Sequence, residues 1–122
     1  MESIKQKWRE VNKFLKEAIQ LYESQPTDLS FLTVAKSFEM VIEYAWRILK
    51  RFVEEQGLEA VSPKAAIRES AKLKLISDPE KWMECLEARN NSVHDYFGIS
   101  QEEYVSLAKD LMELAKELKF KS

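Results

Sequence analysis

The sequence predicts an all-α protein, an antiparallel up-and-down bundle of about five helices. Three observations predict this class. Apolar residues recur at alternating steps of three and four along five separate stretches, which places them on one face of a helix. No stretch has the alternating pattern of a half-buried strand. Only two glycines and three prolines occur in 122 residues, so turns are few and connections short, which favours antiparallel neighbours.

The composition limits the class of protein further. A chain of 122 residues predicts a single domain over residues 1–122, large enough to bury roughly two thirds of its unfolded surface. A net charge of −2 provides no general attraction to nucleic acid, so RNA contact would need a local basic patch. No apolar run approaches the roughly 20 residues of a membrane span, and the N-terminus lacks signal-peptide character. We therefore expect a cytoplasmic protein without membrane association.

The first predicted helix covers residues 2–24. Its apolar residues form the seam typical of a bundle helix: Ile4, Trp8, Val11, Leu15, Ala18 and Tyr22. The segment 25–27 contains Pro26, which ends this helix because proline cannot continue the backbone hydrogen bonds. Asp28 is predicted to cap the helix that follows.

The second predicted helix covers about residues 28–56, and Gly57 ends it as a left-handed residue. Its apolar arc is the widest in the chain, which predicts contacts on several sides and hence a central position. The arc combines Phe31, Val34, Phe38, Val41, Ala45, Ile48 and Phe52 with Leu32, Ala35, Ile42, Leu49 and Val53. Trp46, like Trp82 later in the chain, is interpreted as a core residue rather than a stacking platform.

Three shorter helices follow. Ser62-Pro63 and Asp78-Pro79 each pair a capping residue with proline at the first helical position. They open the third helix and the fourth, which is predicted over about 79–93. Ser100 with Glu103 forms a capping box for the fifth helix. The apolar faces comprise Ala66, Ile67, Ala71 and Leu75, then Trp82, Leu86 and Val93, then Tyr104, Leu107, Leu111, Leu114 and Leu118.

Arg89 lies on the apolar stripe of the fourth helix. It must find an acidic partner, face a second chain or line a cleft, because an unpaired buried charge is costly. Glu39 and Glu43 lie one turn apart on the second helix, and a cation from elsewhere would relieve their repulsion. Arg89 is the candidate cation. The alternative is a solvated face on which Glu43 pairs with Arg47.

His94 is the only histidine and lies five residues after Arg89, about 140° further around an ideal helix. The two converge only if the helix ends between them or a second subunit completes the site. Such a pair could cleave RNA, because imidazole moves protons and guanidinium binds phosphate. That chemistry needs no metal or other cofactor. The alternative is a structural histidine. The single cysteine, Cys85, rules out an internal disulfide and is interpreted as a buried apolar residue.

Three stretches resemble known proteins. Arg89-Asn90-x-x-x-His94-x-Tyr96 resembles the R-x4-H-x-Y signature of HEPN-domain proteins, specifically the HepT toxins of HepT–MntA pairs. Two upstream stretches resemble the sub-branch called nucleotidyltransferase substrate-binding proteins. They are Phe38-Glu39-x-x-x-Glu43-x-Ala45-Trp46-x-x-Leu49-Lys50 and Ser62-Pro63-x-x-Ala66-Ile67-Arg68. The likeness covers roughly residues 5–118, nearly the whole chain.

This resemblance implies a homodimer with the signature near its interface and a minimal nucleotidyltransferase as partner. It implies a toxin-type endoribonuclease in which Arg89 and His94 cleave RNA and Asn90 orients the site, with Glu39 and Glu43 as supporting residues. The partner would attach AMP to Tyr96 and silence the toxin. A second hypothesis is a non-catalytic subunit that presents substrate or nucleotide to the partner. A third is a structural bundle without a site, against which the position of Arg89 argues.

Overall fold

The computed structural model describes residues 2–92 and 100–119, and all regular secondary structure within them is helical. Five helices follow one another: α1 (Glu2–Ser24), α2 (Asp28–Glu55), α3 (Pro63–Lys72), α4 (Pro79–Ser92) and α5 (Gln101–Ala115). Each helix packs against the next one in the chain. The predicted all-α class and the five helices are confirmed. The predicted dimer is not tested by this single chain.

Helix α2 is the centre of the bundle, as its wide apolar arc predicts. It contacts all four other helices, and most of the predicted arc is buried. Phe31 and Phe38 pack on the buried ring of Tyr104 in α5, with ring centroids 5.5 Å and 4.9 Å away. Leu32 departs from the prediction, because it points away from the core and remains 39% exposed.

The cap of α2 differs from the prediction. Thr27, not Asp28, is the N-cap, since its extended backbone lets Oγ1 accept a hydrogen bond from the Ser30 N–H at 3.0 Å. Ser30 Oγ in turn accepts from the Thr27 N–H at 2.9 Å, a reciprocal capping box. Asp28 is the first helical residue and accepts a hydrogen bond from Gln101 Nε2 at 2.9 Å, which links α2 to α5. At the other end, Gly57 has the expected positive φ of 82°.

The predicted N-caps of the later helices are confirmed, and of the capping box predicted for α5 the structure shows the half in which Ser100 is the acceptor. Ser62 Oγ accepts from the Ala65 N–H, and Ser100 Oγ accepts from the Glu103 N–H, both at 3.1 Å. Asp78 Oδ1 accepts from the Lys81 N–H at 3.0 Å at the start of α4. The predicted apolar face of α3 is one turn too long, since it includes Leu75, which follows the end of the helix.

That face ends early because α3 stops at Lys72. Lys74 then adopts a left-handed backbone with φ 60°, and the Leu75 N–H donates to the Ser70 carbonyl at 2.9 Å. This arrangement is typical of a helix that closes its last turn. No described helix is long and apolar enough to cross a membrane.

Cys85 is fully buried, and this burial raises the pKa of its thiol from 9.0 to about 12. We expect iodoacetamide to leave native Cys85 largely unmodified at pH 8–9, whereas the chain unfolded in urea should react fully. The folded pKa lies above the unfolded one. This burial therefore contributes stability that is present at neutral pH and is lost as the pH rises above about 9. Intact mass spectrometry measures the labelling, and rapid native labelling would contradict a closed core at this position.

Candidate functional site

A cleft of about 250 Å³ lies where α2, the start of α3 and the end of α4 meet. Gly57 ends α2 and Ser62 caps α3, so the first turn of α3 lies beside the C-terminal half of α2. The cleft is lined by Ile42, Glu43, Trp46, Ser62, Pro63, Lys64, Leu86, Arg89 and Asn90. The structure therefore brings together three of the side chains predicted from the sequence, Glu43, Arg89 and Asn90.

Arg89 reaches from α4 to Glu43 on α2. Its Nη2 lies 3.7 Å from Glu43 Oε2, and each side chain keeps about a third of its surface exposed, 33% and 34% respectively. The sequence left three possible environments for this guanidinium: an acidic partner, a second chain or a cleft. Within one protomer Arg89 has an acidic partner and also lines a cleft, since its ion pair with Glu43 forms at the cleft wall.

Glu43 receives more than one donor. Arg47 Nη2 donates to its Oε1 at 2.8 Å, and Trp46 Nε1 donates to its Oε2 at 3.3 Å. The sequence offered Arg89 or Arg47 as the partner of this carboxylate, and the structure shows both. Glu43 pairs with Arg47 on its own helix and with Arg89 across the cleft. A carboxylate held by two guanidinium groups and an indole N–H has little freedom to move, so it orients Arg89.

Asn90 also contacts the guanidinium. Its Oδ1 accepts a hydrogen bond from Arg89 Nη1 at 3.3 Å, while its side chain stays exposed at the cleft. Glu43 and Asn90 thus approach different nitrogens of one guanidinium from two helices. The role expected of Asn90, to orient the site, is compatible with this contact but is not tested by it.

Of the remaining predicted site residues, Glu39 is the one that the structure describes, and it stands apart from this group. Glu39 lies one turn before Glu43, does not line the cleft, and has Lys36 Nζ 3.8 Å from its Oε2. His94 and Tyr96 fall outside the described residues. Their predicted places beside Arg89 therefore remain predictions.

Trp46 and Lys64 are cleft residues that the sequence did not identify. The sequence predicts Trp46 as a core residue, but it is half-buried and forms part of the cleft wall. Trp82 is buried as predicted. The spacing to Glu43 could have indicated that Trp46 is only partly buried, since Trp46 follows Glu43 by three residues and so lies beside it on the polar face of α2. Nothing in the local sequence marks the exposed Lys64, because only packing brings α3 beside Arg89.

The cleft combines the groups that recognise an anion attached to a ring. Arg89 and Lys64 supply positive charge, and the start of α3 adds the positive end of a helix dipole and the backbone N–H of Lys64, since Pro63 has no N–H and the Ala65 N–H is bonded to Ser62 Oγ. Ile42, Leu86 and Trp46 supply apolar and aromatic surface. Within residues 2–92 and 100–119, no group of three or more His, Cys, Asp or Glu side chains is arranged to hold a metal ion.

Replacing Arg89 with alanine should cost about 1 kcal/mol or less in the free energy of unfolding. The reason is that its ion pair with Glu43 is one-third exposed and screened by solvent. Urea denaturation measures this cost, with Arg47→Ala as the matched control, since Arg47 pairs with the same carboxylate. A loss of about 3 kcal/mol or more for Arg89→Ala alone would indicate instead that the pair is buried in an assembly.

Comparison with known protein families gives a match that extends over the whole bundle. Residues 5–121 match the family model described as nucleotidyltransferase substrate binding protein like. Among curated proteins, none matches the chain. The two upstream stretches that resemble this family supply Glu43 and Trp46 on α2 and Ser62-Pro63 at the start of α3, all of which line the cleft. The chain belongs to the nucleotidyltransferase substrate-binding protein-like family.

Proposed function

We propose that this protein works with a minimal nucleotidyltransferase, and that the cleft around Arg89 binds a phosphate-bearing substrate or nucleotide. One observation carries the proposal. The three stretches that carry the family resemblance lie far apart in the sequence, yet residues from all three line this one cleft. The family match supports the association with a nucleotidyltransferase.

The size of the cleft indicates how such a ligand would sit. Pockets that enclose small-molecule ligands are usually about 300–1,000 Å³, whereas this cleft measures about 250 Å³. It would hold one phosphate and one ring of a larger molecule, with the remainder outside. The phosphate would lie against Arg89 and the start of α3, and the ring against Trp46.

Endoribonuclease activity is the second candidate, and the contact between Arg89 and Asn90 at the cleft favours it. RNA can be cleaved when a 2′-hydroxyl attacks the adjacent phosphorus and the 5′-oxygen leaves. His94 would take the proton of the 2′-hydroxyl or donate one to the leaving oxygen. Arg89 would bind the phosphate as negative charge builds on it, with Glu43 and Asn90 holding the guanidinium in place. No metal enters this reaction.

The assembly and its control belong to the same proposal. The protein would act as a cytoplasmic homodimer, with a toxin-type activity that the nucleotidyltransferase restrains. The partner would transfer AMP from ATP to the Tyr96 hydroxyl and release pyrophosphate. The attached phosphate would add negative charge two residues from His94 and compete with RNA for Arg89.

Binding and cleavage can be separated in one set of variants. The full chain would be titrated with ATP and with a short oligoribonucleotide, and the RNA products separated on a gel. Arg89→Ala should weaken binding by about tenfold or more, because a charge-assisted hydrogen bond is lost. Arg51→Ala is the matched control, an exposed arginine of α2 outside the cleft. His94→Ala should retain binding and abolish cleavage.

The outcomes distinguish the two candidates. Binding by the wild type without cleavage would support the binding subunit and refute the ribonuclease. Equal affinities of Arg89→Ala and Arg51→Ala for both probes would refute the cleft as the ligand site.

The proposed modification of Tyr96 predicts a mass increase of one AMP after co-expression with the cognate nucleotidyltransferase. Tyr96→Phe should remain unmodified, because it lacks only the acceptor hydroxyl. Intact mass spectrometry measures both proteins, and the modified wild type should no longer bind the oligoribonucleotide. An adduct that persists in Tyr96→Phe would show that the acceptor is another residue.

A further inference from the structure

A second surface feature lies on the α1–α2 pair. Six large apolar side chains are strongly exposed within the described part of the chain, and four of them line one groove between these helices. They are Phe14 (49% exposed), Leu21 (43%), Leu29 (76%) and Leu32 (39%). The groove measures about 600 Å³. A concentration of exposed apolar surface of this kind marks an interaction site.

The two helices that form the groove run antiparallel. Only residues 25–27 separate them, and the rings of Tyr22 and Phe31 lie 6.3 Å apart on either side of this turn. A helix rises about 1.5 Å per residue, so a residue's distance in sequence from the turn indicates its height along the pair. Residues about equally far from the turn therefore lie at similar heights.

The groove is apolar at both ends and charged at its middle. Glu17 on α1 and Lys36 on α2 are its two charged lining residues, and both lie about 15 Å from the turn. Phe14 and Met40 lie farther from the turn, at about 20 Å, while Leu21 and Leu32 lie nearer, at about 8 Å. The opposite charges of Glu17 and Lys36 thus lie at the same height along the helix pair, and apolar side chains line the groove on both sides of that height.

We propose that a second copy of this chain covers the groove, about a two-fold axis parallel to α1 and α2. Such an axis preserves height and exchanges the two helices, so α1 of one protomer packs on α2 of the other. Glu17 then faces the opposite protomer's Lys36, and the reverse pair forms by symmetry. The aromatic ring of Phe14 meets Met40, and Leu21 meets Leu32. This proposal rests on the homodimer of the proposed function and identifies its surface.

The dimensions of the helix pair are sufficient for a stable dimer. Helix α1 has 23 residues and α2 has 28, so their shared length is about 35 Å and their combined width about 20 Å. Such a face buries on the order of 700 Å² per protomer, close to the roughly 800 Å² of a standard specific interface. Four helices packed in this way form a bundle across the axis.

The covered groove would adjoin the Arg89 cleft. Met40 closes the groove, and Glu43 begins the cleft three residues further along α2, on the same face of the helix. The edge of the second protomer would therefore lie beside each cleft.

Charge reversal tests this register on the full-length chain, with sedimentation equilibrium as the measurement. Glu17→Lys faces lysine with lysine, and Lys36→Glu faces glutamate with glutamate, so each alone should weaken dimerisation by about tenfold or more. An equimolar mixture of the two variants restores both attractive pairs and should form a heterodimer. Lys16→Glu, a reversal on the exposed side of α1 outside the groove, is the matched control and should dimerise like the wild type.

Each result has one meaning. A wild type that is monomeric at tens of micromolar overturns the homodimer and this surface together. A dimeric wild type whose two single variants dimerise equally well overturns the surface and leaves the homodimer standing. Weakened single variants that fail to combine overturn the two-fold register. Ligand binding by Arg89 is measured separately, so its failure would not be confused with any of these outcomes. Circular dichroism verifies that each variant remains helical.

Discussion

The packing of α2 against all four other helices is the contact on which the rest of the structure depends. Its buried side chains pack against α1 on one side and α5 on another, and the rings of Phe31 and Phe38 pack on the ring of Tyr104. Burial of each large apolar side chain contributes about 1.5–3 kcal/mol. Because one helix supplies so much of the core, the polar residues on its remaining face are held in defined positions relative to the neighbouring helices.

That packing explains how a small helical bundle can form a cleft. Glu43 lies on the polar face of α2, where its carboxylate pairs with Arg89 of α4. The start of α3 lies beside this pair and completes the cleft. The carboxylate accepts from Arg47 and Trp46 as well, so the cleft has a preorganised cation beside an aromatic wall. Preorganisation matters because a guanidinium that is already oriented loses less entropy when it binds a phosphate.

The ion pair between Arg89 and Glu43 also has a functional consequence. At 3.7 Å with a third of each side chain exposed, the pair is screened by solvent, so under the proposed function the guanidinium could be shared with an incoming anion. The apolar groove between α1 and α2 ends at Met40, three residues before Glu43 of the cleft, so one helix contributes to both surfaces.

The sequence by itself determined the helices, their order and most of the core, because the three-and-four spacing of apolar residues reports which side of each helix avoids water. It also identified Arg89 as a charged residue on an apolar helix face, which must find an acidic partner, face a second chain or line a cleft because an unpaired buried charge is costly. It misassigned the cap of α2, since Thr27 and Asp28 are both good capping residues and only the backbone turn distinguishes them. It also misassigned Trp46 and Leu32, whose spacing fits a buried face as well as an exposed one.

Only the tertiary structure decided that Glu43, Trp46, Lys64 and Arg89 share a cleft. These residues belong to three helices, and periodicity within a helix carries no information about what lies opposite it. The same holds for the groove, where Glu17 and Lys36 come to one level because a short turn folds α2 back along α1. Local spacing therefore specified the surfaces of each helix, and the packing of α2 decided which of those surfaces meet.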